Sequence, residues 1–369
     1  LKNGLTSRFY SKEFPEKYRH TEFLISAGHF LKRPDLYGEH GFTKDNLIMG
    51  DSGGFQIASG ALKWNTSLPE KVFTWLENNS DIAMNLDIPP KMKYEGMYEE
   101  CLKISKDNFK YFADNQTGKT DFLNVVQGTN EVEYENWYNE IKDFEFQGWA
   151  IGGGGRSVYA FMSGVLSLLN GKEHLKDRNK YLHILGISKI SDFLMLNQLQ
   201  KSLNEVDSKM VVTTDSSSPD RAVVFGGYYL DYNFKKASFQ SINVPKHDDT
   251  FKNQPLNYLP VSTDFDREYL KDALTWEDTI EWQSTCTTAI RLHNLMVFKE
   301  AIDKAEYYVY THDYMLQQIV STDMFKLLKS LEEMIKSDNP KVIFEKHKQL
   351  YRKMSNTHKE PQIKTHQFF

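Results

Sequence analysis

Seven short apolar runs recur along this chain, and each stops at a glycine or an acid: EFLISAG (22–28), NLIMGDSGG (46–54), DIAMNLDIPP (81–90), DFLNVVQG (121–128), GWAIGGGG (148–155), YLHILGI (181–187) and MVVTTDSSS (210–218). Short apolar or β-branched runs of this kind suit strands buried on both faces. Amphipathic stretches separate them. Leu68–Asn78 and Tyr98–Asp114 are two, the second with Cys101, Ile104, Phe109 and Phe112 at helical spacing; Val158–Leu169 ends at Asn170-Gly171, a helix stop signal, and Ser191–Leu203 has the same character. Strand alternating with helix implies βαβ units and a parallel sheet.

Polar residues stand where the runs end: Asp51, Asp87, Gln127, the glycines from 152 to 155, and Asp215. Active sites of (β/α)₈ barrels collect at the carboxyl ends of the strands. The expected fold is therefore α/β, a (β/α)₈ TIM barrel, with its eighth strand at Val223–Tyr229 (VVFGGYY). From about 270 onward the pattern turns helical. Phe325, Leu328, Leu331 and Ile335 mark one amphipathic helix, and Asp338-Asn339-Pro340 breaks it before another. This predicts an N-terminal segment (1–20), a barrel (21–310) and a C-terminal helical extension (311–369).

Composition excludes several classes. With 369 residues, 40% hydrophobic and 26% charged, the chain has the make-up of a globular protein rather than a disordered or fibrous one. Its longest apolar stretch, Tyr159–Leu169, is 11 residues with two serines inside it, short of the ~20 needed to span a bilayer. The opening LKNGLTSRFYSKEF has no apolar leader-like run, so a cytoplasmic protein with no membrane partner is expected. Two cysteines, Cys101 and Cys286, can build neither a disulfide framework nor a Cys-rich zinc site. The net charge of −5 does not announce nucleic-acid binding for the whole molecule. The tail differs: seven Lys or Arg (341, 346, 348, 352, 353, 359, 364) stand against Glu345 and Glu360. That excess suits either a solvated helix face with a frayed end or a phosphate-contacting tail.

The chemistry-bearing segments are individually ambiguous. Asp51-Ser52-Gly53-Gly54-Phe55-Gln56 packs an acid, a tight turn and a stacking surface together, and is also compatible with a plain turn. Ile151 to Gly155 offers successive backbone amides for an oxygen or anion, or a flexible loop. Asp87 and Gln127 suit the edge of a purine. Asp215, followed by three serines, is a strand-end acid or a helix cap.

Read jointly, over roughly residues 20–310, these segments resemble the tRNA-guanine transglycosylase family. The resemblance is carried by Asp51–Gln56, Val126-Gln127-Gly128, Gly148-Trp149-Ala150-Ile151-Gly152-Gly153, His183-Ile184-Leu185-Gly186 and Thr214-Asp215, in the family's order. It implies a (β/α)₈ barrel and base exchange, in which guanine is cut from its sugar and a 7-deazaguanine such as preQ0 is inserted without breaking the backbone. It further implies Asp215 as the nucleophile on C1′ and Asp51 as the proton donor and acceptor. Asp87 and Gln127 would bond the base edge, the amides of Gly153 and Gly154 its O6, and Phe55 and Leu185 would sandwich the ring. Ser52, Gln56 and Arg221 would contact sugar or phosphate. No cofactor is implied.

Standard members of that family also carry a structural zinc on three cysteines and a histidine. Here His293 stands at the histidine position, and of the thiols only Cys286 lies nearby. One thiolate and one imidazole do not complete a four-coordinate site. No zinc is expected, with His293 packing among apolar neighbours and Cys286 a small buried residue. The absence of those thiols makes the chain more similar to the phage DNA-modifying branch of the family. The expected partners are DNA, with tRNA as the alternative, and a free 7-deazaguanine base, acting on a monomer or a non-standard dimer. A zinc-free tRNA enzyme, a hydrolytic glycosidase and a non-catalytic nucleic-acid-binding subunit are the competing readings. Two retained carboxylates argue against the last.

Overall fold

The computed structural model describes residues 8–32, 35–37, 41–90, 97–153, 157–243, 259–271 and 284–356. All seven expected strands form: β1 (Glu22–Ser26), β2 (Leu47–Asp51), β3 (Ile82–Met84), β4 (Asp121–Gln127), β5 (Gly148–Gly152), β6 (Tyr181–Ile184) and β7 (Val211–Thr214). They lie in one sheet in chain order, every neighbouring pair parallel. Between them run α1 (Ala27–Phe30), α2 (Gly54–Ala58), α3 (Leu68–Asn79), α4 (Met97–Asn115), α5 (Glu131–Ile141), α6 (Val158–Asn170) and α7 (Ile190–Glu205). Local chemistry sets their starts. Asn130 Oδ1 accepts from the amides of Val132 and Glu133 at 3.1 Å each, and Ser157 Oγ from Ala160 N at 3.1 Å, satisfying donors that an open first turn leaves orphaned.

Strand alternation separates the two faces of the sheet. On one face Trp149 donates from Nε1 to Glu173, Ile151 meets Gly164 of α6, and Phe122 rings against Phe73 and Phe112 of α3 and α4. This face carries the helices. The register places Val125, Ala150, His183 and Thr213 side by side in one row of the other face. Two residues further along the same chain segments stand Gln127, Gly152, Leu185 and Asp215. Asp51, with Ser26 opposite it on β1, ends the same face on β2.

The sheet curls. In a flat sheet the ends of β2 and β7 would lie roughly 24 Å apart, at ~4.8 Å per strand. Asp51 ends β2 and Asp215 follows β7, yet Asp51 lies near enough to feel the negative charge of Asp215. The inner face is thus concave, a half-barrel with the polar strand ends along one rim.

The expected eighth strand at Val223–Tyr229 does not join this sheet. Val223 and Val224 close α8 (Ser218–Val224), and Gly226 turns at φ 82°. Tyr228 and Tyr229 then enter β8 (Gly227–Asn233), which pairs antiparallel with β9 (Ser238–Asn243). The glycine pair splits the apolar run: left-handed backbone at Gly226 reverses the chain before a continuous strand can form. Among the described residues the parallel sheet has seven strands.

The C-terminal part is helical as expected: α9 (Ser284–Tyr310), α10 (Asp313–Ile319), α11 (Thr322–Lys336) and α12 (Pro340–Asn356). Leu328, Leu331 and Ile335 of α11 are buried, and α11 and α12 pack on α7 and α6. The described cations of the basic tail face acids: Lys346 pairs with Glu333, Lys348 with Glu131 and Glu345, Lys353 with Asp323, while Arg352 stacks on the Tyr159 ring. That supports the solvated-face reading for 341–353. Lys359 and Lys364 lie outside the described residues. No helix among the described residues is long and apolar enough to cross a membrane.

His293, on α9, departs from its expected apolar packing. It is fully buried, with Nδ1 2.8 Å from Asp266 Oδ2 and Nε2 donating to the Tyr229 carbonyl at 2.6 Å. Its ring stacks on Tyr228 at 3.9 Å. Burial works to raise the Asp266 carboxyl, but His293 and the amide and hydroxyl of Thr263 outweigh it and hold it below the usual carboxylate range. Both imidazole nitrogens are engaged, so neither offers a lone pair to a metal. Buried charge must be paired to be tolerated, and this pairing ties α9 to the hairpin and to the 259–271 segment. The side chain of Cys286 lies outside the described residues.

Candidate active site

Backbone approach builds the site before any side chain does. Gly53 has φ 90°, and a β-carbon there would lie 2.8 Å from Gly28 Cα. At Gly54 it would lie 2.1 Å from the Asp87 carbonyl oxygen, so the turn after β2 seats directly on the loop after β3. At Gly152 it would strike Gln127 Nε2 at 2.1 Å. Glycine is required at these points because nothing larger fits. Gly54→Ala is accordingly expected to destabilise the protein by about 3 kcal/mol, the scale of a forced overpacking, and to displace Asp87. Thermal unfolding checks the first effect.

Asp87 is buried and accepts from Gln127 Nε2 at 2.7 Å, making the two side chains one unit. Desolvation pushes the Asp87 carboxyl up to about 7, reinforced by the charge of Asp51 and opposed by Gln127. A raised folded value means that the fold favours the protonated acid. Stability from this group is therefore lost as pH rises from the unfolded value near 4 through about 7. Asp87→Asn retains an acceptor for Gln127 and removes that penalty. It is expected to raise stability by about 1 kcal/mol or more at pH 8 and by much less at pH 4, as chemical denaturation at the two pH values will measure.

Asp51 and Asp215 are driven in opposite directions. Burial pushes the Asp51 carboxyl up and Asp215's negative charge adds to the effect, against the Gly53 amide and His183. Burial also acts to raise Asp215, but there the hydrogen bond from His183 and the amide of Gly186 prevail, and the carboxyl is held below its ordinary value. Asp215 does not cap a helix: its Oδ1 accepts from Gly186 N at 2.8 Å and faces His183 Nε2 at 3.4 Å. Both of these contacts fall on Oδ1, and neither reaches Oδ2.

The structure thus draws Asp51, Asp87, Gln127 and Asp215 into one interacting set, and adds His183. That residue's interaction with Asp215 was not anticipated, although a histidine inside the apolar run YLHILG was the available signal. Phe55 stands at the rim on α2 with 61% of its surface exposed, and Leu185, half-buried, follows β6. Gly153 takes φ 77°; Gly154 lies outside the described residues. Gln56 is paired with His29, its Nε2 2.9 Å from the imidazole Nε2, and Arg221 is exposed on α8.

Ser52 is fully buried and donates its hydroxyl to the Asn85 carbonyl at 3.1 Å, which braces two loops. Among the described residues no cluster of three or more His, Cys, Asp or Glu side chains is arranged to hold a metal. No protein-family model matches the chain, and no curated protein matches it.

Proposed function

We propose that this protein is a base-exchange transglycosylase acting on DNA, a zinc-free relative of the tRNA-guanine transglycosylases with a (β/α)₈-type barrel. It replaces guanine with a 7-deazaguanine such as preQ0. The observation that carries the reading is the pair of carboxylates on one rim whose surroundings push their protonation apart, Asp51 up and Asp215 down. Such a divergence suits one acid to give a proton and the other to attack.

In the first displacement Asp215 Oδ2 attacks C1′ of an everted nucleotide. The C1′–O bond forms as the C1′–N9 bond breaks, its electron pair leaving with guanine, and the proton comes from Asp51. In the second, N9 of the incoming base attacks C1′, Asp51 takes the N9 proton, and the Asp215 carboxylate departs. Two inversions return the original configuration and leave the phosphodiester backbone untouched. Asp87 and Gln127 present one acceptor-and-donor edge to the base, and the exposed Phe55 ring offers a stacking surface at the rim. A pure binding subunit needs neither carboxylate, and a hydrolase would leave abasic sites.

The test is uptake of labelled guanine or preQ0 into matched duplex DNA and bulk tRNA. Label in DNA with intact strands is the expected result. Label in tRNA alone would keep the chemistry and replace the partner; label in neither, or abasic product, would overturn the reading.

A further inference from the structure

Three observations converge on His183, a residue to which base exchange by itself assigns nothing. It is buried, and β6 register sets it directly opposite Thr213 of β7, two residues before Asp215. Its two nitrogens have different partners: Nδ1 lies 2.9 Å from Thr213 Oγ1, and Nε2 lies 3.4 Å from Asp215 Oδ1. Gly186 N reaches that same Oδ1, so both donors converge on one carboxylate oxygen.

We infer that Thr213 and His183 form a positioning relay for Asp215, in which the Thr213 hydroxyl donates to Nδ1, the proton is thereby kept on Nε2, and Nε2–H pins Oδ1 so that Oδ2 is the oxygen that attacks. The inference rests on the exchange reading above and deepens it. The chemistry is that of a nucleophile whose orienting base is itself oriented by a third group. His183 touches neither sugar nor base in this scheme and acts through Asp215.

The charged groups facing His183 are Asp215, after β7, and Asp51, at the end of β2, with Thr213 the neutral partner. His183 is the leading influence holding Asp215 ionised against burial. Attack needs ionised Asp215, so the rate rises with pH through its titration. Removing the donor moves that titration up, and the acid limb of kcat/KM moves up with it.

The experiment compares His183→Met, His183→Gln and Thr213→Val with the unaltered protein. Exchange is measured across pH, and the Asp215 side-chain carboxyl is followed by ¹³C NMR in the ligand-free protein, assigned through Asp215→Asn. His183→Met is expected to lose about 10- to 100-fold on the acid side, the range for one hydrogen bond to a charged group, and to recover toward the unaltered rate on the alkaline side. His183→Gln, whose amide still reaches Oδ1, should restore the limb. Thr213→Val, nearly isosteric, should shift it in the same direction by less. A parallel loss at every pH, with the carboxyl titrating where it did before, would show a merely structural residue and overturn the inference. Should the unaltered protein exchange no base, the function proposal fails, and the NMR titration still decides the relay. If His183→Met does not fold, Thr213→Val carries both measurements.

Discussion

Asp215→Asn is expected to abolish base exchange, a loss of about 10⁴-fold or more, as removing a covalent nucleophile generally does. The substitution is small in every other respect. The amide oxygen can still accept from Gly186 N, which now binds Oδ1 at 2.8 Å, and the turn after β7 loses no atom. What disappears is the electron pair on an ionised Oδ2. Base exchange in labelled DNA measures the rate, and the same samples run under denaturing conditions show whether any protein remains attached to the nucleic acid. Neither is expected in the variant. Normal turnover would remove Asp215 from the nucleophile's role and leave the strand-end acids without an assignment.

Asp51→Asn should cost about 10²–10⁴-fold, the contribution of a positioned proton donor. Burial and the nearby Asp215 charge push this carboxyl up, so the folded site tends to keep the proton that the departing base needs. An amide in its place holds the same shape without the proton. The deficit should depend on the leaving base. With 7-methylguanine, which is already cationic and departs without help, the variant should approach the unaltered protein in the first displacement. Second-step capture of an incoming base should remain slow, because N9 must still lose a proton. A deficit of equal size on both substrates would mean that Asp51 orients the ring and does not transfer a proton.

Much of the scaffold is legible in the sequence because its signals are local. Each buried parallel strand is a short apolar run, and each run stops where polar residues cluster at the rim; β2, β4 and β7 all follow this rule. The eighth strand was misread for the same local reason. VVFGGYY has the composition of a strand, and only the left-handed Gly226 shows that it is a helix end followed by a hairpin. Asp51, Asp87, Gln127 and Asp215 could be picked out because polar groups at the ends of apolar strands are conspicuous. The contact of His183 with Thr213 comes from the β6–β7 register, which joins positions 30 apart in sequence. The burial of Ser52 is not legible, because a motif conveys residue order and not burial. The His293–Asp266 pair depends on a contact 27 residues apart between α9 and the short helical turn at Asp266–Leu270, which neither segment announces alone.

Covalent attachment of nucleic acid through Asp215 during exchange can be read by mass mapping of the intermediate. The unaltered protein is incubated with guanine-containing duplex DNA, quenched under denaturing conditions and digested, and the peptides are searched for an attached deoxyribose-phosphate. The added mass is expected on the peptide containing Asp215, with no strand cleavage and with guanine released in equal amount. Active exchange with the mass elsewhere, or with no attached sugar at all, would contradict attachment through Asp215.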